Sequence, residues 1–220
     1  MLDFIEVKNN PQVLEFISRA GKALADIQYT EHGLEHVTLV ADRARTIAKE
    51  VGLSKTDQEL SAIAAFCHDM GNFLGRTQHH YWGALLFHQI FFKENPKHIT
   101  LVMQAIANHD KGREMKLASP ISAALVLADK SDVRRSRVLE KDMEKIKLDI
   151  HDRVNYASTD SKLGINKKSK IITLTLKIDT KFCPIMDYFE IFTERMAYCR
   201  ESAQFLGYNF GLIINQFKLL

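Results

Sequence analysis

Apolar residues recur at helical spacing through most of the first 137 positions. Asn10-Pro11 pairs a cap with a proline at the first helical position, and opens a helix carrying Val13, Leu14, Ile17 and Leu24 on one side. Leu34, Val37, Val40, Ala41, Ala44, Ile47 and Ala48 form a longer stripe that runs out at Gly52. Ser54 to Asp57 reads as a capping box for a third helix through Leu60, Ile63, Ala64 and Cys67, ending at Gly71. A fourth spans His79 to Phe92. Asn95-Pro96 stops it and caps a fifth, with Ile99, Val102, Met103 and Ile106, and Ser119-Pro120 opens a sixth. Helices this close in sequence, joined by short connections, predict a bundle.

The period changes after about Thr159. Ile172, Leu174, Leu176 and Ile178 alternate with Thr173, Thr175 and Lys177, the pattern of a half-buried strand, and the preceding SKLGINKKSK supplies a turn and a partner strand. Pro184 to Gly207 reads as one long amphipathic helix, and FGLIIN as a last strand. The expected fold class is therefore mainly α, a helical bundle with a small C-terminal antiparallel β-sheet plus a long helix. The expected division is a helical domain over residues 1–158 and a small α/β appendage over 159–220, packed on the bundle or on a partner subunit.

Composition adds limits. The 220 residues suffice for one generous domain, and a hydrophobic share of 46% with 26% charged residues is that of an ordinary globular protein. A net charge of +3 does not by itself argue for DNA or an anionic membrane as partner. No stretch approaches the ~20 apolar residues of a membrane span, and the N-terminus lacks a basic segment followed by an apolar one. A cytoplasmic location is expected. Cys67, Cys183 and Cys199 are scattered and form no CxxC pair, which suits reduced thiols and argues against a thiolate zinc site.

The histidines carry the chemical information. His36 lies near the start of the second helix, His68-Asp69 end the third, His79 and His80 begin the fourth, His109-Asp110 end the fifth and Asp129 lies deep in the sixth. Each falls near one end of a helix with an apolar face, where an unpaired charge is costly and a shared partner relieves the cost. Imidazole with carboxylate suits iron, manganese, magnesium or zinc. Five or six such ligands exceed what one catalytic ion with an open position needs, and suit two ions about 3.5–4 Å apart.

The order H…HD…D, carried by His36 in EHVTLVADRA, His68-Asp69 in AFCHDMGN and Asp129 in VLADKSD, resembles the HD-domain superfamily of metal-dependent phosphohydrolases. The resemblance spans Thr30 to Arg137. QHHYWGALL is similar to the HxxxGA element of two-metal members, with His79 followed by Gly83-Ala84, and AIANHDKG places His109 where that group has its next ligand. Both elements occur in HD hydrolases of diadenosine tetraphosphate and in cyclic-dinucleotide phosphodiesterases. The chain departs from the latter, having no glycine-tyrosine-proline signature and Asn108 in place of the first histidine of a pair. Asn72 stands where HDxGK is common. The resemblance implies His36, His68 and Asp129 for one ion, His79 and His109 for the other, and Asp69 bridging both.

Phosphate needs cations. Lys111 and Arg113 follow His109, and Lys130, Arg134, Arg135 and Arg137 follow Asp129. Lys130 is the first choice for a catalytic cation and Arg76 the second, and His80, His32, Arg76, Lys111 and Arg134 are expected behind the ligands or beside the substrate. His88 and His98 are read as caps or surface, and the pair His151-Asp152 as part of a polar face, with lining of the pocket as the alternative. The expected reaction is hydrolysis of a phosphate ester or anhydride of a nucleotide-like substrate by metal-activated hydroxide. Alternatives are a non-catalytic nucleotide-binding HD domain, a di-iron oxygen-dependent enzyme, and a zinc peptidase built on HGLEH, His32 to His36, with Glu35 as base. A homodimer is the base-rate expectation for assembly.

Overall fold

The computed structural model describes residues 2–110 and 116–220, so Lys111 and Arg113, expected near the substrate, lie outside the described residues. Seven α-helices precede residue 131: α1 (Phe4–Lys8), α2 (Pro11–Asp26), α3 (Leu34–Glu50), α4 (Lys55–Cys67), α5 (His79–Phe91), α6 (Pro96–Asn108) and α7 (Pro120–Lys130). The six helices predicted from periodicity are present. Asn10, Ser54, Asn95 and Ser119 each accept a hydrogen bond from a backbone N–H of the first turn, as capping requires. The addition is α1, too short to show a period, which Asp3 caps through Ile5 and Glu6. α4 ends at Cys67 rather than Gly71, because Met70–Leu74 tighten into a 3-10 turn.

Two helices form the centre. Every residue from Leu60 to Cys67 of α4 and from Ile121 to Ala128 of α7 is buried, the pattern of helices enclosed on all sides. α3 packs against both through Val40, Ala44 and Ile47, and Val102 and Ile106 of α6 complete this layer. Burying a side chain such as Phe66 or Ile63 stabilises the fold by about 1.5–3 kcal/mol. Because the central helices are enclosed, their polar C-terminal residues emerge into the interior.

The chain continues with α8 (Met143–Leu148), α9 (Ile150–Ala157), β1 (Ser158–Asn166), β2 (Ile171–Ile178), α10 (Ile185–Phe205), β3 (Asn209–Ile214) and β4 (Phe217–Lys218). The strands lie in the order β1-β2-β3-β4. The expected all-antiparallel sheet is a correction: β2 and β3 pair in parallel, while β1–β2 and β3–β4 are antiparallel. A parallel neighbour needs a crossover, and the 21 residues of α10 provide it. Ile172, Leu174, Leu176 and Ile178 bury one face of β2, continuous with the hydrophobic core of the bundle. Ser161 joins the two, its hydroxyl donating to the Ser131 carbonyl (2.6 Å) and its carbonyl accepting from Arg43 (3.0 Å). α10 lies along α7. No helix among the described residues is long and apolar enough to cross a membrane.

Candidate metal centre

Six side chains from five helices or helix ends meet at one place. His68 and Asp69 follow the last turn of α4, His36 stands in the first turn of α3, His79 opens α5, His109 caps α6 and Asp129 is near the end of α7. All are buried except the Asp129 side chain, which is 12% exposed. Asp69 divides the group. Its Oδ2 lies 3.3 Å from His68 Nε2 and 3.8 Å from His36 Nε2, while its Oδ1 lies 3.3 Å from His79 Nε2 and 3.7 Å from His109 Nε2. Asp129 Oδ1 completes the first side, 3.4 Å from His36 and 3.7 Å from His68. Triplets on either side of Asp69, His36–His68–Asp69 and Asp69–His79–His109, keep their donor atoms within 4.8 Å of one another, and His68–His109–Asp129 overlaps both.

The backbone aims the imidazoles. A helix C-terminus leaves carbonyls without intrahelical partners. His68 Nδ1–H donates to the Ala65 carbonyl (2.7 Å) and His109 Nδ1–H to that of Ile106 (2.7 Å), while His79 makes the same bond to Arg76 (2.9 Å). His36 instead gives its Nδ1–H to Asp132 Oδ2 at 2.7 Å. With Nδ1 used, each ring presents Nε2 to the centre. Nε2 of His36 and of His68 is buried without a hydrogen-bond partner, the condition of a donor atom waiting for a cation. These nitrogen and oxygen donors fit divalent ions of the iron, manganese, magnesium and zinc group.

Charge supports the same reading. Burial opposes ionisation of Asp69 and Asp129, but the imidazoles around them, and Lys130 beside Asp129, hold both carboxyls well below the usual range. His109 is pushed down to about 4 by burial and by nearby His68, His79 and Lys130, which keeps it neutral and able to ligate. Burial alone would lower His68, yet Asp69 and Asp129 beside it outweigh that and raise it.

The other expected residues fall around this cluster. Lys130 Nζ lies 2.7 Å from Asp129 Oδ2 and 3.4 Å from Asp110 Oδ1; burial disfavours its charge, but the two carboxylates outweigh that and raise its pKa. Arg76 reaches Asn72 Oδ1 (3.0 Å) and Asp110 (3.4 Å), with Asp69 Oδ1 at 3.9 Å. His79, not His80, faces Asp69; the His80 ring stacks beside Tyr81 and keeps a buried, unpartnered Nδ1. The His32 ring stands 5.5 Å from that of His36 and donates through Nδ1 to the Thr30 carbonyl. Arg134 grips Asp132 Oδ1 (2.7 Å), Ser136 and Glu35, and so stands behind the support of His36. Glu35 itself is 60% exposed and paired with Arg134, so the HGLEH peptidase reading has no base aimed at the centre.

Sequence reasoning named Asp110 beside His109 and Asn72 beside the HD pair without giving them a role, and missed Asp132. Asn72 donates to Asp69 Oδ1 at 2.9 Å, Asp110 neutralises Lys130 and Arg76, and Asp132 orients His36 from a distance of 96 positions in the chain. Their spacing carries no period that would single them out. Replacing Asp132 with alanine leaves His36 Nδ1 unpaired and its ring free to turn. Metal affinity is expected to fall ~10–100-fold, measured by competition with a chelator of known affinity, while an unchanged affinity would show that His36 needs no such support.

Comparison with known families places this centre. Comparison with curated proteins gave no match. The sequence profile described as HD domain matches residues 33–157, more than half of the chain, from the start of α3 through the end of α9. That span holds all six converging side chains and Asp132, and the chain belongs to the HD domain family, the superfamily of metal-dependent phosphohydrolases.

Proposed function

We propose that this protein hydrolyses a phosphate ester or anhydride of a nucleotide-like substrate. The observation that carries the reading is Asp69, whose two carboxylate oxygens each face a different pair of imidazoles. A carboxylate so placed suits two cations, with His36, His68 and Asp129 on one side and His79 and His109 on the other. Divalent ions held there lower the pKa of coordinated water and counter charge on a phosphoryl group.

The chain's own residues do the rest. Asn72 and Arg76 fix the Oδ1 side of Asp69, and Asp132 fixes His36. Lys130 holds Asp129 through one oxygen, leaving the other toward the imidazoles, and places a fixed positive charge at the edge of the cluster. Arg76 adds a second positive charge beside Asp69, and meets the other oxygen of the Asp110 carboxylate that Lys130 contacts. Fixed donors aimed at growing negative charge are what phosphoryl transfer requires, since the reaction needs little covalent chemistry from the protein.

The test is direct. Purified protein supplied with manganese or iron under reducing conditions is expected to release phosphate or nucleotide from at least one generic phosphodiester or nucleotide, and to stop when the metal is chelated. Binding of nucleotides without turnover under every metal would overturn the hydrolase reading, and consumption of oxygen with an oxidised product would replace it.

A further inference from the structure

A cation from outside the matched span reaches the same region. Arg195 sits on the apolar stripe of α10 formed by Tyr188, Phe192, Met196 and Cys199, with its guanidinium 4.8 Å from the centre of the Phe192 ring. Among the described residues it makes no hydrogen bond and no ion pair. Asp129 and Asp110 act on its charge without bonding it, and a half-buried guanidinium with no hydrogen-bonded anion carries a desolvation cost that a bound anion would relieve.

Arg195 lines a cavity of about 450 Å³ together with Tyr29, His32, Arg76, Arg137 and His151. Arg137 is 4% exposed; it donates from Nε to the Glu31 carbonyl and from Nη1 to that of Asp132, both at 3.0 Å, with Asp132 Oδ2 at 3.7 Å, and its Nη2 is buried with no hydrogen-bond partner. Three guanidiniums thus face this space against a single lining carboxylate, Asp149. The adjoining cavity, about 510 Å³, is the more acidic, lined by Glu140, Asp149 and Asp152 against the single cation of Lys145. Arg76 belongs to both the basic cavity and the metal centre, standing 3.3 Å from His79 Nε2. The volume is in the ~300–1,000 Å³ range of small-molecule sites, more than one phosphate fills, and the exposed Tyr29 ring offers a face to a base.

We infer that this cavity is a second phosphate subsite, and that the substrate is a nucleotide containing a phosphoanhydride, with one phosphate at the metal centre and the next held by Arg195 and Arg137. The inference rests on the hydrolase reading of that centre. In the reaction a water oxygen bonds to the phosphorus at the centre and the bridging P–O bond breaks. The electron pair stays on the departing phosphate, whose charge the two arginines meet, and the water's proton passes to that phosphate or to solvent.

Calorimetric titration of the metal-depleted full chain with ADP and with inorganic pyrophosphate tests it. Arg195→Gln is expected to weaken both ligands ~10–100-fold, as loss of a charged hydrogen-bond donor does, with unchanged metal uptake and unchanged melting temperature of the unliganded protein. Arg195→Lys, which keeps the charge but not the fork, should fall between, and it carries the test if the glutamine variant does not fold. Equal affinities in a folded variant and the wild type overturn the subsite. The two readings separate cleanly: Arg195-dependent pyrophosphate binding without any turnover defeats the hydrolase alone, while turnover of a nucleoside diphosphate with the same KM in Arg195→Gln defeats the subsite alone.

Discussion

Asp69→Ala is expected to empty the centre of metal on both sides and to lower hydrolysis at least ~10³-fold. Asp69 is the carboxylate that meets all four imidazoles: His36 and His68 face its Oδ2, His79 and His109 its Oδ1. Without the carboxylate, four imidazoles are left beside Asp129 and Asp110, and two like-charged cations could not be held close together by neutral rings. Elemental analysis after dialysis against manganese or iron, compared with wild type, gives the answer. A variant that keeps its full metal content would show that Asp69 does not join the two halves.

Gly71→Ala is expected to destabilise the fold by about 3 kcal/mol, the upper part of the range for overpacking, and to cost the His79 side more metal affinity than the His36 side. A Cβ at this position would lie 2.1 Å from the His79 carbonyl oxygen and 2.5 Å from the Gly83 nitrogen. Both are backbone atoms, so the start of α5 must move away, and His79 moves with it. Gly83→Ala should do less, since its Cβ would meet the His68 carbonyl at 3.2 Å and Ile106 at 3.3 Å. Chemical denaturation, paired with metal titration, measures both effects. Wild-type stability in Gly71→Ala would mean that α5 and the turn after α4 are not in this close contact. The crossing also gives a physical reason for glycine in the HDMG and HxxxGA elements: each lets one backbone approach the other.

How far the sequence revealed this arrangement differs by residue. The helix stripes and caps were legible because they are local, and the six ionisable groups stood out because each falls at the end of an apolar run. The direction of β3 was not legible, since alternation within a strand says nothing of its neighbour's polarity, which α10 sets by carrying the chain back across the sheet. Asp132 was hidden because its bond to His36 spans 96 positions. Arg134 looked like a free cation in the sequence and is spent on Asp132 and Glu35. Arg195 left a signal that went unused, a charge inside the apolar stripe between Phe192 and Cys199.

The most direct measurement is an anomalous-scattering map of crystals grown with excess manganese. Two peaks flanking Asp69, one against His36, His68 and Asp129 and the other against His79 and His109, are the predicted result. A single ion elsewhere on the molecule, or manganese bound with these side chains left unengaged, would contradict the account.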